Sequence, residues 1–226
     1  MMAAPYYEDD HVTIYHGDCR EVTEWLAGDV LVTDPPYGIG WKHGALNIRG
    51  HEVRAAPGIA NDHDTTTRDE ALRRFAPRPG VVFGSLYGSP PEVGRHVLVW
   101  QKPADAGLFG PRIGWRRDLE AIWLVGDWPT RPATRSSLVR SLDVGSQGSY
   151  CKAVGHPHAK PLDIMRYLIG ECPPGVIVDP FCGSGSTLRA AKDIGRRAIG
   201  VELDERYCEI AANRVAQEVL DFGGVA

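Results

Sequence analysis

No Cys-x-x-Cys pair occurs in the chain, and its five cysteines (Cys19, Cys151, Cys172, Cys182, Cys208) are scattered and odd in number. That spacing argues against a zinc cluster or a disulfide framework and points to buried, reduced thiols in a cytoplasmic protein. Long apolar runs are missing too. Nothing approaches the roughly 18 residues that a membrane span needs, so no membrane partner is expected. The start, Met1 to Asp10, is acidic and has no apolar h-region, so it does not read as a secretory signal. Internal repeats and low-complexity tracts are also absent. An excess of positive charge is lacking: 25 Lys+Arg stand against 29 Asp+Glu, a formal net charge of −4. Taken alone, that balance speaks against a nucleic-acid partner, because affinity for phosphate backbones comes from Lys and Arg.

What is present suits one globular domain. The 226 residues are 43% hydrophobic and 24% charged, enough for a sizeable core. Short β-rich runs alternate with helical patterns. Strands are expected at Val12–Tyr15, Val30–Thr33, Val81–Gly84, His96–Trp100, Ala121–Val125, Val176–Val178 and Ala198–Val201. A polar helical stretch is expected around Arg20–Ala27. Pro161 opens a helix with Leu162, Met165 and Ile169 inward and Gly170 as its stop. Ser186–Gly195 is a second helix, and Asp204 caps a third running to Leu220. This alternation predicts an α/β fold with about seven strands in a mostly parallel sheet. Two stretches, 43–69 and 128–158, have little periodicity and read as functional loops or mobile segments.

An apolar strand ends at Asp179 and passes through Pro180-Phe181-Cys182-Gly183-Ser184-Gly185 into a helix starting at Ser186-Thr187. The glycines allow close backbone approach to a ligand, and the helix N-terminus presents free N–H groups to an anionic moiety. Ser184, Ser186 and Thr187 add hydroxyls. Further on, a strand ends in Glu202, where an acid accepts hydrogen bonds from ribose hydroxyls. Together these read as a site for an adenosine carrying an anionic group. No lysine follows Gly185, so this is not a phosphate-binding P-loop, and the dinucleotide fingerprint is incomplete. By itself the motif also fits a tight strand–helix turn.

A second strand, Val30–Thr33, runs into Asp34-Pro35-Pro36-Tyr37. Prolines cannot continue a strand ladder, so a rigid turn projects Asp34, the Pro35 carbonyl and the Tyr37 ring from the sheet edge where open α/β sheets bind ligands. Two adjacent acceptors suit an exocyclic amine, and an aromatic ring suits a planar base. A bare surface turn remains the alternative.

These residues resemble those of the amino-group DNA methyltransferases that use S-adenosylmethionine and carry Asp-Pro-Pro-Tyr. The acceptor turn precedes the Gly-rich turn, which resembles the circularly permuted beta group. Further segments match in order: Tyr15-His16-Gly17-Asp18-Cys19, Val99-Trp100-Gln101-Lys102-Pro103, Arg116 to Ile122, His156-Pro157-His158-Ala159-Lys160-Pro161-Leu162, and Gly200 to Tyr207. The resemblance implies a Rossmann-like methyltransferase fold with helices on both sheet faces. It implies that Asp34, Pro35, Pro36 and Tyr37 are catalytic. It assigns the cofactor to Asp18, Lys160, Asp179, Pro180, Phe181, Gly183, Ser184, Gly185, Ser186, Thr187 and Glu202. A target base would flip from double-stranded DNA, and its amine would attack the cofactor's methyl group directly. The chain has no Pro-Cys step for a covalent intermediate. Asp at the first motif position favours adenine N6, with cytosine N4 as the alternative. An RNA or protein-amide methyltransferase, or a non-catalytic DNA- or cofactor-binding module, are the other readings.

Splitting the charge alters the first impression. Residues 95–160 hold ten Lys/Arg and five Asp/Glu, a net +5, and the remainder holds 15 and 24, a net −9. A solvated basic face is the plain reading. The functional one assigns target recognition to a short insertion, 128–158, within a single catalytic domain spanning 1–226. Arg112, Arg116, Arg117, Arg131, Arg135 and Arg140 would then grip DNA. So short a segment implies a short recognition sequence or help from a second subunit in a homodimer. A restriction endonuclease is the companion to look for. His51, His63 and His156 read as surface or loop residues, and no metal is expected.

Overall fold

The computed structural model describes residues 3–40, 60–103, 105–106, 114–141 and 146–217. Its strands are β1 (Tyr7–Glu8), β2 (Val12–His16), β3 (Val30–Thr33), β4 (Gly80–Gly84), β5 (Gly94–Gln101), β6 (Leu119–Val125), β7 (Leu138–Arg140), β8 (Ile177–Asp179) and β9 (Ala198–Glu202). Its helices are α1 (Thr66–Phe75), α2 (Gln147–Val154), α3 (Leu162–Glu171), α4 (Ser186–Asp193) and α5 (Glu205–Ala216), with a 3₁₀ turn at Glu24–Ala27.

All the strands join one sheet in the order β1-β2-β9-β8-β3-β4-β6-β5-β7. The expectation of about seven strands is therefore too low. The two extra strands, β1 and β7, are two and three residues long, too short to show a period. From β2 to β4 the pairing is parallel. β6 runs antiparallel to both β4 and β5, so the far side of the sheet is mixed.

Strands β3 and β4 are buried along their whole length, as expected where helices cover both faces. Val30, Val32, Val81 and Phe83 face α3, α4 and α5. Leu31 and Val82 face Trp25 of the 3₁₀ turn and Ala71, Leu72 and Phe75 of α1. Trp25 and Phe75 stack at a centroid distance of 5.9 Å.

The chain leaves β3 through α1 to reach β4, and leaves β8 through α4 to reach β9. Those helices lie on opposite faces. The strand order thus reverses between β3 and β8, which opens a crevice at their C-terminal ends.

Several boundaries differ from the sequence reading. Of the expected helical stretch around Arg20–Ala27, only Glu24–Ala27 is helical, as a 3₁₀ turn. Gly170 lies inside α3, which ends at Glu171 with Cys172 as its cap. The helix after Asp204 is capped as expected, with the Asp204 carboxylate accepting from the Arg206 N–H at 2.9 Å. It ends at Ala216, where Gln217 turns extended, and so stops short of the expected Leu220, which lies outside the described residues. The two irregular stretches hold more order than expected: α1 begins inside the first, and the second supplies β7 and α2. Among the described residues, no helix is long and apolar enough to cross a membrane.

Candidate active site

β3 delivers Asp34 to the crevice, and β8 delivers Asp179 beside it. Thr33 Oγ1 donates to Asp179 Oδ1 at 2.6 Å, which joins the two strand ends. The Asp-Pro-Pro-Tyr turn and the Gly-rich turn, nearly 150 residues apart in the chain, are therefore neighbours.

Around Asp34 the side chains form a closed charge cluster. Lys160 Nζ donates to Asp34 Oδ2 at 2.7 Å and lies 2.9 Å from Glu120 Oε1. Lys102 Nζ pairs with Glu120 Oε2 at 2.6 Å. The Tyr37 hydroxyl lies 2.6 Å from Asp34 Oδ1 and also against Glu120 Oε1, so its one proton serves either carboxylate. Two carboxylates and two ammonium groups balance, as buried charges must. Burial alone would raise the Glu120 carboxyl, but Lys160 and Lys102 hold it down at about 2. Lys160 is likewise held above its ordinary range: Asp34 and Glu120 outweigh its desolvation. Burial, then the two carboxylates, push the Tyr37 phenol well up.

Asp179 is fully enclosed. Burial pushes its carboxyl up to about 7, against hydrogen bonds from Thr187, Thr33 and the Phe181 N–H. Pro180, next in the chain, is buried, and Phe181 is half-buried.

In the Gly-rich turn, Gly183 has φ +50° and Gly185 φ +76°. A Cβ on Gly185 would stand 2.9 Å from Ala211 Cβ, so both backbone and packing select glycine. The Gly183 N–H donates to Glu202 Oε2 and the Asp204 N–H to Glu202 Oε1, each at 2.8 Å. These bonds fix the Glu202 carboxylate beside the turn and leave it further acceptor positions. β2 pairs with β9 so that His16 faces Glu202. Asp18 therefore lies beyond the neighbouring strand end, where Arg20 clamps it at 2.5 Å and lowers its pKa.

Some expected contacts are differently arranged. Ser184 and Ser186 are buried, and their hydroxyls lie 3.2 and 3.3 Å from Arg214, which also donates to the Ser184 carbonyl at 2.7 Å. Thr187 bonds to Asp179. These three hydroxyls brace the turn from behind. Lys160, expected with the cofactor, donates to Asp34 and pairs with Glu120. His156, expected as a surface or loop residue, lies in the loop between α2 and α3 but packs its ring 4.4 Å from Tyr207, and its Nε2 lies 3.4 Å from where a Gly183 Cβ would stand. Burial holds that imidazole down at about 4. His63 is exposed as expected, and His51 lies outside the described residues.

The arginines separate into two groups. β4 and β6 are antiparallel, so the entry to β6 shares the crevice edge with the ends of β3, β5 and β7. Arg116 and Arg117 precede β6, and Arg140 ends β7, so these three stand at that edge. Arg116 pairs with Asp118 at 3.1 Å. Arg131 and Arg135 lie between the end of β6 and the start of β7, at the opposite edge. There Arg135 pairs at 3.0 Å with Glu171, the last residue of α3, and Arg131 lies near Cys172. The two therefore stand at the edge opposite Arg116, Arg117 and Arg140. Arg112 lies outside the described residues.

Glu120 is the functional candidate that the sequence reading passed over. A glutamate opening the apolar run Ala121-Ile122-Trp123, with Lys102 just past the end of the strand before it, was the available signal. Tyr150 and Arg214 were missed as well. The Arg214 guanidinium donates to the Tyr150 hydroxyl at 3.1 Å and so ties α2 to the Gly-rich turn.

A family model described as DNA methylase matches residues 99–213. Among curated relatives, the chain is 26% identical to "Type II methyltransferase M.ScaI" from Streptomyces caespitosus, over 96% of this chain and 85% of the relative. It is 27% identical to "Type II methyltransferase M2.DpnII" from Streptococcus pneumoniae, over 96% and 94%. Among solved structures, the fold is similar to the M1.HpyAVI–SAM complex, with a TM-score of 0.61 and 22% identity over 91% of this chain and all of that one. It is also similar to the PvuII cytosine-N4-specific DNA methyltransferase, with a TM-score of 0.67 and 18% identity over 96% and 90%.

Proposed function

Because the chain belongs to the N6/N4 DNA methylase family, we propose that it methylates N6 of an adenine flipped out of double-stranded DNA, with S-adenosylmethionine as donor. The observation that carries this reading is the Thr33–Asp179 bond of 2.6 Å, which holds the acceptor turn against the Gly-rich turn. An amine bound by the first lies next to a ligand bound by the second.

The residues fit the donor. Gly183 and Gly185 keep the turn open to close backbone approach, and the α4 N-terminus suits an anionic end. Asp18 and Glu202, on adjacent strand ends, suit adenosine hydroxyls and amine. When bound, S-adenosylmethionine supplies a methyl group activated by a sulfonium.

On the acceptor side, Asp34 and the Pro35 carbonyl accept the two N–H bonds of the target amine. Lys160 and Tyr37 each occupy one position on the Asp34 carboxylate, and its other lone pairs stay open. Accepting both N–H bonds pulls the amine toward tetrahedral geometry and frees its lone pair. Asp34 is placed to take the proton that the methylated nitrogen sheds. Pro36 keeps the turn rigid, and the Tyr37 ring stacks on the base. Most of the rate comes from positioning and from fixed charge.

Adenine is favoured over cytosine because Asp, not Ser, holds the first motif position. Unmethylated DNA exposed to the enzyme and donor, then digested to nucleosides, tests this. N6-methyladenine is expected. N4-methylcytosine would replace adenine with the cytosine reading, and no modified base would overturn the function.

A further inference from the structure

Two loops border the acceptor turn: residues 85–89 after β4 and 114–118 before β6. The first packs directly on it, since a Cβ on Gly88 would lie 3.3 Å from the Tyr37 carbonyl oxygen and 3.5 Å from Ile39 Cγ2. The second leads into Glu120 of the Asp34 cluster. Among the described residues, the two most exposed large hydrophobic side chains sit on these loops, Trp115 at 81% and Tyr87 at 65%. Ile39 and Leu86, on the same edge, are exposed as well.

A tryptophan displayed this fully beside a reaction site is the informative kind of exposure. Arg117 lies over one face of Tyr87, 4.5 Å from the ring centroid, which braces the ring. Arg116, Arg117 and Arg140 give this edge a positive rim suited to phosphates. Aromatic rings beside guanidinium groups match stacked bases on a charged backbone.

Resting on the reading of DNA as substrate, we infer that Tyr87 and Trp115 form a base-stacking rim, with Trp115 filling the gap that the target base leaves in the duplex. Extruding a base costs two stacking contacts and a base pair. An apolar side chain in the vacancy restores part of that loss, as side-chain wedges do elsewhere in DNA recognition. A second copy of this chain or another protein would have less use for the arginines around the rim.

The test uses Trp115→Ala, Tyr87→Ala and Trp115→Phe in the full chain. Their sites are exposed, so folding is not at stake. The substrate is a duplex carrying the sequence that the wild-type protein is found to methylate. A second duplex has an abasic site opposite the target. On the intact duplex the alanine variants should lose about tenfold in kcat/KM, the scale of one base–aromatic stack, and Trp115→Phe should lose little. On the abasic duplex, where extrusion is already easy, Trp115→Ala should recover to within about twofold of wild type. Unchanged activity on the intact duplex, or an equal loss on both duplexes, would overturn the inference. So would a change in oligomeric state without a change in kcat/KM. If the wild-type protein methylates no DNA at all, it is the proposed function that fails.

Discussion

Lys160 Nζ stands 2.7 Å from Asp34 Oδ2, although 126 residues separate the two in the chain. The same ammonium lies 2.9 Å from Glu120. One lysine thus joins the Asp-Pro-Pro-Tyr turn to β6 and stands between two carboxylates, of which Glu120 has Lys102 as a second partner.

Replacing Lys160 by Met removes that shared cation and leaves Asp34 and Glu120 around Tyr37. Breaking a buried pair by deleting one partner costs about 3–5 kcal/mol. The unfolding free energy in urea should drop by about that amount at neutral pH. A fall well under 1 kcal/mol would mean that the cluster is not closed as described.

Asp179 titrates at about 7 in the folded chain against an ordinary value of 3.8. A carboxyl raised on folding favours the folded state at low pH, and that contribution fades as pH rises through 7. Asp179→Asn keeps an acceptor for Thr33 and the Phe181 N–H but cannot ionise. The stability of wild type relative to Asp179→Asn should therefore decline between about pH 4 and pH 7, by on the order of 4 kcal/mol. Parallel stability curves for the two proteins would contradict this.

His156 is shifted the other way, down to about 4 from 6.5. Its contribution to stability is present above 6.5 and lost as pH falls toward 4. In a ring-carbon NMR titration the imidazole should stay neutral at pH 5.5, with its midpoint near 4. A midpoint near 6.5 would place the ring in solvent, away from Tyr207.

The arginines give a direct contrast. At the crevice edge, Arg117→Ala and Arg140→Ala should each weaken duplex binding and reduce the salt dependence of the affinity by about one phosphate contact. Arg135→Ala, on the opposite edge and paired with Glu171, should leave both unchanged. Equal effects from all three would mean that DNA contacts both edges of the sheet.

The sequence made both turns of the site legible because each is punctuated by residues whose physics is local. Prolines stop β3 at Asp34, and Gly183 and Gly185 adopt positive φ where the chain must turn. The strands with dense β-branched runs, such as β3 and β4, were also readable. What was hidden depends on partners distant in the chain. Glu120 looks like an ordinary strand-entry charge until Lys160 and Lys102 converge on it. His156 looks like a loop residue until α5 brings Tyr207 against it. The two groups of arginine could not be separated by counting charge over 95–160, because antiparallel β6 carries its two ends to opposite edges of the sheet.

Methyl transfer with and without Asp34 tests the account at its centre. Wild-type protein and Asp34→Ala are incubated with methyl-labelled S-adenosylmethionine and unmethylated duplex DNA, and donor affinity is measured for each by calorimetry. Label should enter DNA with the wild type, and transfer should fall by at least about a thousandfold in the variant, a loss of roughly 4 kcal/mol of transition-state stabilisation. Donor affinity should change by no more than about threefold, since the Gly-rich turn is untouched. Substantial transfer by Asp34→Ala would contradict the assignment of Asp34 as the group that binds the target amine.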